Sequence, residues 1–216
     1  MPVLVPRRLD EALAALQADP KAEPIAGGTD LMVEVNFGRK RFDSAIAIDR
    51  IAELRDVVAS SRVRIGAGVT YTRLLDEGAG SVALAEASRT VGSPQIRNAG
   101  TLGGNLATSS PAGDTLPVLA ALDATVILRS VDGERRVPFG EFMTGPKRNV
   151  RRHDELVLAA EWDDAGPAQA FIKIGTRNAM VIAVASLALV IDRARRRVGV
   201  ALGSCGPTII RATDAE

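Results

Sequence analysis

Two short runs of small and polar residues carry the chemistry this sequence offers. The first is Pro24-Ile25-Ala26-Gly27-Gly28-Thr29-Asp30-Leu31. An apolar stretch leads into two glycines and then into a helical pattern. Glycine lets backbone N–H groups approach an anion with no Cβ in the way. A helix N-terminus adds unsatisfied donors and partial positive charge. Such a run suits a phosphate. Taken alone it reads more readily as a strand-to-helix turn capped by Thr29. It is neither the G-x-G-x-x-G fingerprint nor a P-loop, because no Gly-Lys-Ser/Thr follows.

The second run is larger and extends from Gly92 to Asp114: Gly92-Ser93-Pro94-Gln95-Ile96-Arg97-Asn98-Ala99-Gly100-Thr101-Leu102-Gly103-Gly104-Asn105-Leu106-Ala107-Thr108-Ser109-Ser110-Pro111-Ala112-Gly113-Asp114. A purely structural loop rarely gathers so many glycines, hydroxyls and amides. Backbone donors at Thr101 to Gly104 are expected to cradle a second phosphate. Asn105 and Asp114 are suited to bonding a polyol. Two anion-cradling loops point to two linked phosphates, and polyol partners beside them point to a dinucleotide. FAD fits both, since its ribityl chain needs such partners.

Scarcity narrows the chemistry further. The sequence has 216 residues but one cysteine, Cys205, and one histidine, His153. An iron–sulfur cluster takes about four thiolates, and a structural zinc site about four Cys or His ligands. This chain can hold neither alone, so redox chemistry here needs an organic cofactor or metals on another chain. One cysteine excludes an internal disulfide and suits a reducing cytoplasm. His153 lies in a charged surface loop. Cys205 reads as a small buried residue, Trp162 as packing, and Tyr71, which follows a helix cap, as a surface aromatic, with stacking on a base as the alternative. The net charge of +1 gives no argument for nucleic acid. The dense run Arg193 to Arg197 reads as a solvated hairpin end. No apolar run approaches the ~18 residues of a membrane span, and the N-terminus does not read as a signal peptide.

The elements that must position these runs follow from periodicity. Asp10 is expected to cap a helix over 11–18, with Leu13 and Leu16 inward. A strand over 23–26 leads into a helix from Thr29, with Leu31, Met32 and Val35 as its apolar positions. Residues 45–48 and 63–67 read as strands. Thr70 caps a helix carrying Leu74 and Leu75, and 81–91 is helical. From Gly92 to Asp114 there is little periodicity, which reads as a long functional loop. A helix over 116–122 precedes a hairpin about Asp132-Gly133 and a strand over 156–162. Residues 171–175, 184–191 and 198–202 read as antiparallel strands. A sheet of about three strands needs a cover, and no helix remains in the sequence after it. This last unit therefore reads as incomplete or completed by a partner.

With Ala26 to Leu31 upstream, the string Gly92 to Asp114 resembles the FAD-binding medium subunit of the molybdenum hydroxylases. That group includes carbon monoxide dehydrogenase, the xanthine dehydrogenases and related N-heterocycle hydroxylases. The resemblance runs from about Pro2 to Pro207 and rests on the Thr-Leu-Gly-Gly-Asn and Ser-Pro-Ala-Gly-Asp pieces in register. It implies an α+β fold: a PCMH-type (vanillyl-alcohol-oxidase-like) FAD-binding domain of two subdomains, then a partial C-terminal α+β domain with an antiparallel sheet. The divisions would be 1–55, 56–166 and 167–216. Members usually continue past this point with helices, so the last unit reads as truncated.

The resemblance also implies roles. Pro24, Ile25, Ala26, Gly27, Gly28, Thr29, Asp30 and Leu31 would wrap the diphosphate and neighbouring ribose. Thr101, Leu102, Gly103, Gly104 and Asn105 would contact the diphosphate and the flavin side. Asp114 would bind ribityl or ribose hydroxyls. Val91 and Gly92 would lie near the isoalloxazine, and Val157 would pack on one face of it. Lys173 would approach the flavin's polar edge, although a strand-end surface lysine is the equal alternative. Members often carry an Arg where this chain has Ala99, so that side chain's interaction is missing here. No catalytic residue and no metal ligand is implied on this chain. The implied partners are a small subunit with 2Fe-2S clusters and a large subunit with the molybdenum cofactor, as a cytoplasmic dimer of heterotrimers. Electrons would pass from those clusters through FAD to NAD or another acceptor. Two other classes stand beside this one: a free-standing FAD-dependent reductase of the same superfold, and a non-enzymatic assembly subunit that has lost its flavin.

Overall fold

The computed structural model of the chain describes residues 2–77 and 80–216. Its first segment runs β1 (Val3–Leu4), α1 (Leu9–Ala18), β2 (Glu23–Ile25), α2 (Leu31–Asn36) and β3 (Ala45–Ala47). The three strands pair in parallel in the order β1-β3-β2. Parallel neighbours need a crossover, and α2 lies within the one joining β2 to β3. Leu13 and Leu16 are buried on α1 as expected. Asp10 is not its cap. The helix already starts at Leu9, and Asp10 pairs with Arg8 inside the first turn. The carboxylate of Glu11 takes the Arg7 N–H, and that of Glu53 takes the Leu9 N–H. The second helix also differs from expectation. It begins at Leu31, Thr29 does not cap it, and none of its residues is buried.

The middle segment runs β4 (Val57–Ala59), β5 (Arg62–Gly66), α3 (Tyr71–Glu77), α4 (Val82–Thr90), α5 (Pro94–Ala99), α6 (Leu102–Thr108), α7 (Thr115–Ala121), β6 (Thr125–Ser130), β7 (Gly133–Pro138), α8 (Phe139–Phe142), β8 (Met143–Gly145), β9 (Arg148–Asn149) and β10 (Leu156–Asp163). Five strands form an antiparallel sheet in the order β4-β5-β10-β6-β7, and β8 and β9 pair separately. Residues Leu156 to Trp162 of the central strand are all buried, the pattern of a strand covered on both faces. Thr70 caps α3 by accepting the Arg73 N–H, and Ser81 caps α4 by accepting that of Leu84. The core face of α4 is Ala83, Leu84, Ala87 and Ser88.

The stretch from Gly92 to Asp114 is not a loop. It folds into α5 and α6, each started by a hydroxyl. The Ser93 Oγ accepts the Ile96 N–H with Pro94 at the first helical position, and the Thr101 Oγ1 accepts the Gly104 N–H. Interior glycines disfavour helix by roughly 1 kcal/mol each. Burial of Leu102 and Leu106 overrides that preference.

The last segment runs β11 (Gln169–Ile174), β12 (Ala185–Asp192), β13 (Arg197–Gly203) and β14 (Ile210–Arg211), a four-stranded antiparallel sheet in chain order. Its cover is already in the chain. Helices α4 and α7 from the middle segment pack on it, burying Phe171, Ala188, Val190 and Ala201. The expectation that nothing in the sequence covers this sheet is thereby corrected. Ile172 and Ile174 alternate with the buried positions of β11 and are exposed. One continuous core joins all three segments. The tightest point of this packing is Gly199, where a Cβ would overlap the Ala121 carbonyl of α7. Gly199→Ala should push α7 off the sheet and cost about 1–3 kcal/mol. A thermal melt should then show Tm falling by roughly 2–10 °C; an unchanged Tm would refute the docking of α7 on β13.

Candidate functional site

The strand β2 ends at Ile25 and delivers Gly27 directly against the end of α5. A Cβ at Gly27 would fall inside the Ala99 carbonyl, so the first glycine run and the start of the second touch backbone to backbone. Gly28 sits at φ 67°, a conformation that favours glycine. Among the described residues, no protein acceptor engages the N–H groups of Gly27, Gly28, Thr29, Asp30 or Leu31. A row of unengaged amides is an anion site in waiting.

The second run behaves differently. The Leu102 N–H donates to Val69 O at 3.0 Å, that of Gly103 to Ala67 O at 2.8 Å, and that of Asn105 to Thr101 O at 3.0 Å. The Gly104 N–H donates to Thr101 Oγ1 at 3.0 Å. Of the donors expected at Thr101 to Gly104, the amides of Leu102, Gly103 and Gly104 are spent on the protein, as is that of Asn105. Gly103 is required by packing, since a Cβ there would collide with Ala67 at the end of β5. Gly104 is not, for a Cβ there would meet only Thr101 Oγ1, at 3.1 Å. The start of α6 offers close approach rather than open amides.

Behind the loops lies a buried ion pair. Lys173 Nζ, on β11, donates to Asp114 Oδ2 at 2.6 Å and to Thr90 O at 3.2 Å. Thr90 Oγ1 donates to the same Asp114 oxygen at 2.9 Å. Both charged side chains are under a tenth exposed, so Lys173 is not a surface lysine. Asp114 Oδ1 is buried and has no partner among the described residues. Burial pushes the Asp114 carboxyl above the usual carboxylate range, while Lys173 and Thr90 pull it back down. An orphaned carboxylate oxygen is costly and marks a place for a hydroxyl donor.

The remaining candidates divide. Pro24, Ile25 and Ala26 lead into the open amides. Asn105 is engaged through its Oδ1, which accepts from Thr115 Oγ1 at 2.6 Å. Val91 and Gly92 end α4 and are held by Arg97, whose Nη1 donates to both carbonyls, at 3.2 and 3.0 Å. Val157 is buried on the central strand at a register shift. His153 is exposed, Trp162 is packed, and Cys205 is exposed rather than buried. Tyr71 is buried, against expectation, because α3 turns it under Gly100. Sequence reasoning also missed Thr90, Arg97 and Lys147. Lys147 tips the β8–β9 turn and donates to Glu34 on α2 at 2.6 Å, with Asp30 at 3.7 Å. That hydrogen bond holds the Glu34 carboxyl below its ordinary value. No pattern in the sequence links residues so far apart. A cavity of about 260 Å³ between α7, α8 and β14 contains none of the candidate residues. Among the described residues there is no cluster of metal-ligating side chains, and no helix is long and apolar enough to cross a membrane.

An α+β frame with open amides at one end and an orphaned carboxylate oxygen at the other suits a ligand that carries both phosphates and hydroxyls, as the dinucleotide-binding proteins require. Within that class the chain belongs to a specific family: residues 1–161 match the family described as the FAD binding domain in molybdopterin dehydrogenase. It is 40% identical over 190 residues to the nicotinate dehydrogenase FAD-subunit of Eubacterium barkeri, a match over 83% of this chain and 64% of that protein. It is 31% identical over 221 residues to a putative xanthine dehydrogenase FAD-binding subunit of Escherichia coli strain K12, over 96% of this chain and 75% of that protein. The carbon monoxide dehydrogenase of Hydrogenophaga pseudoflava that lacks the Mo-pyranopterin moiety shares the fold. Its TM-score is 0.91 at 28% identity, over 100% of this chain and 79% of that one. The chain thus spans just under two thirds of the first relative's length.

The buried pair generates a direct test. Lys173→Met leaves the Asp114 carboxylate without its cation and should cost about 3–5 kcal/mol. Adding Asp114→Asn should restore most of that loss in urea unfolding. Equal destabilisation by the single and double variants would refute the coupling.

Proposed function

We propose that the chain is the FAD-binding electron-transfer subunit of a molybdenum hydroxylase complex. In this reading it stands between the 2Fe-2S clusters of a small subunit and NAD or another acceptor. A large subunit carries the molybdenum cofactor, and the assembly is a cytoplasmic dimer of heterotrimers. The units 1–55 and 56–166 bind the cofactor, and 167–216 belongs to a C-terminal domain.

The observation that carries this reading is the open row of amides from Gly27 to Leu31, held against Ala99 and facing no acceptor among the described residues. The residues present fit FAD. The Gly27–Leu31 amides would receive the diphosphate. The bare surface of Gly104 would let the cofactor approach closely. The unpartnered Asp114 Oδ1 would accept a ribityl or ribose hydroxyl. Lys173 would hold Asp114 and the end of α4 in place, and Val91, Gly92 and Val157 would lie toward the ring. When bound, the cofactor supplies one- and two-electron redox chemistry. The scarcity of Cys and His leaves clusters to partner chains. The family membership and the names of the relatives support the same assignment.

The purified chain should bind FAD stoichiometrically, as read from its absorption spectrum and from FAD released on denaturation. Metal analysis of the whole complex should find iron and molybdenum beside it. Gly27→Ala should weaken FAD binding at least about tenfold, or roughly 1.4 kcal/mol, because the loop can no longer seat on Ala99. A chain that takes up no FAD sinks the proposal.

A further inference from the structure

Tyr71 is the chain's one tyrosine, and the site as described makes no use of it. It opens α3, and its N–H donates to Gly100 O at 3.2 Å. Its ring is 5% exposed and lies flush against Gly100: a Cβ there would come within 2.8 Å of Tyr71 Cε2 and 3.1 Å of Cδ2. The phenol is thus clamped beneath the link between Ala99, which seats Gly27, and Thr101, which opens α6. Among the described residues, no protein group hydrogen-bonds its hydroxyl. The hydroxyl is not one of the fully enclosed unpartnered atoms, so it keeps contact with solvent, where a ligand can meet it.

We propose that Tyr71 is a further FAD-binding residue, its hydroxyl donating to an oxygen of the cofactor's diphosphate–ribityl stretch. This rests on the reading that FAD lies between the two glycine loops. Charge favours a phenol at this point. Asp30 and Asp114 both lie close enough to act on the phenol. A diphosphate near two carboxylates is best met by neutral donors, as the Gly27–Leu31 amides are. Burial, helped by those two carboxylates, raises the Tyr71 hydroxyl above the ordinary tyrosine value. It therefore remains a protonated donor across the physiological range. The ring, fixed by Gly100, aims the donor without the flexibility of a lysine.

The single tyrosine makes the test clean. A ¹³C label at tyrosine Cζ gives one resonance, which should shift when FAD is titrated into the purified chain. Tyr71→Phe keeps the ring against Gly100 and removes only the hydroxyl. It should weaken FAD binding roughly three- to tenfold, while the Tm of the FAD-free protein stays within about 1 °C of wild type. A resonance that does not move, or a Phe variant that binds FAD as wild type does, overturns the proposal. A fall in the FAD-free Tm parallel to the loss of affinity assigns the hydroxyl a structural role and overturns it too. Wild-type protein that takes up no FAD removes the underlying reading and this proposal together.

Discussion

The contact between Gly27 and the Ala99 carbonyl organises everything around it. It is backbone against backbone, and no side chain of any size fits between. Because the two runs meet there, a loop from the parallel sheet and a helix end from the antiparallel unit become two sides of one cleft. The runs then divide their labour. The Gly27–Leu31 amides stay open, while those of Leu102 and Gly103 dock α6 onto Val69 and Ala67 and those of Gly104 and Asn105 turn back to Thr101. A loop that anchors itself this firmly holds its partner loop in place without needing to supply donors of its own.

Charge in the cleft is arranged by the same economy. Carboxylates at Asp30, Glu34 and Asp114 form ion pairs with Lys147 and Lys173. Each lysine comes from a distant part of the chain and ties a carboxylate of the site to another element. The Lys147 contact is half exposed and contributes little energy, yet it spans from the β8–β9 turn to α2. The Lys173 contact is buried, where a pair is stable only if its remaining lone pairs and protons are satisfied. Thr90 satisfies one side of Asp114, and no group among the described residues satisfies the other.

That buried pair also explains why the last sheet cannot be treated as a separate unit. Helices α4 and α7 cover its inner face. The same helices carry Thr90 at the end of one and Asp114 just before the other. Lys173 reaches them from β11. Any displacement of the sheet is therefore felt at the carboxylate, and any change at the carboxylate is felt in the packing of the sheet.

Strands and hairpins were legible in the residues because alternation and turn chemistry are local. The β6–β7 hairpin and the three long strands of the last sheet lie close to where their patterns place them. The chemical type of the site was legible too, since glycine-rich runs and the lack of Cys and His depend only on composition. The folding of residues 92–114 into two helices was not legible, because burial of Leu102 and Leu106 outweighs poor local propensity. The burial of Tyr71, the covering of the last sheet by earlier helices and the spending of the second loop's amides were equally hidden. Each depends on contacts between residues far apart in the chain, whose partners no local pattern names. Sequence alone determined which groups were available. Tertiary structure decided which of them were left free to meet a ligand, because a hydrogen bond already made within the protein is no longer open to one.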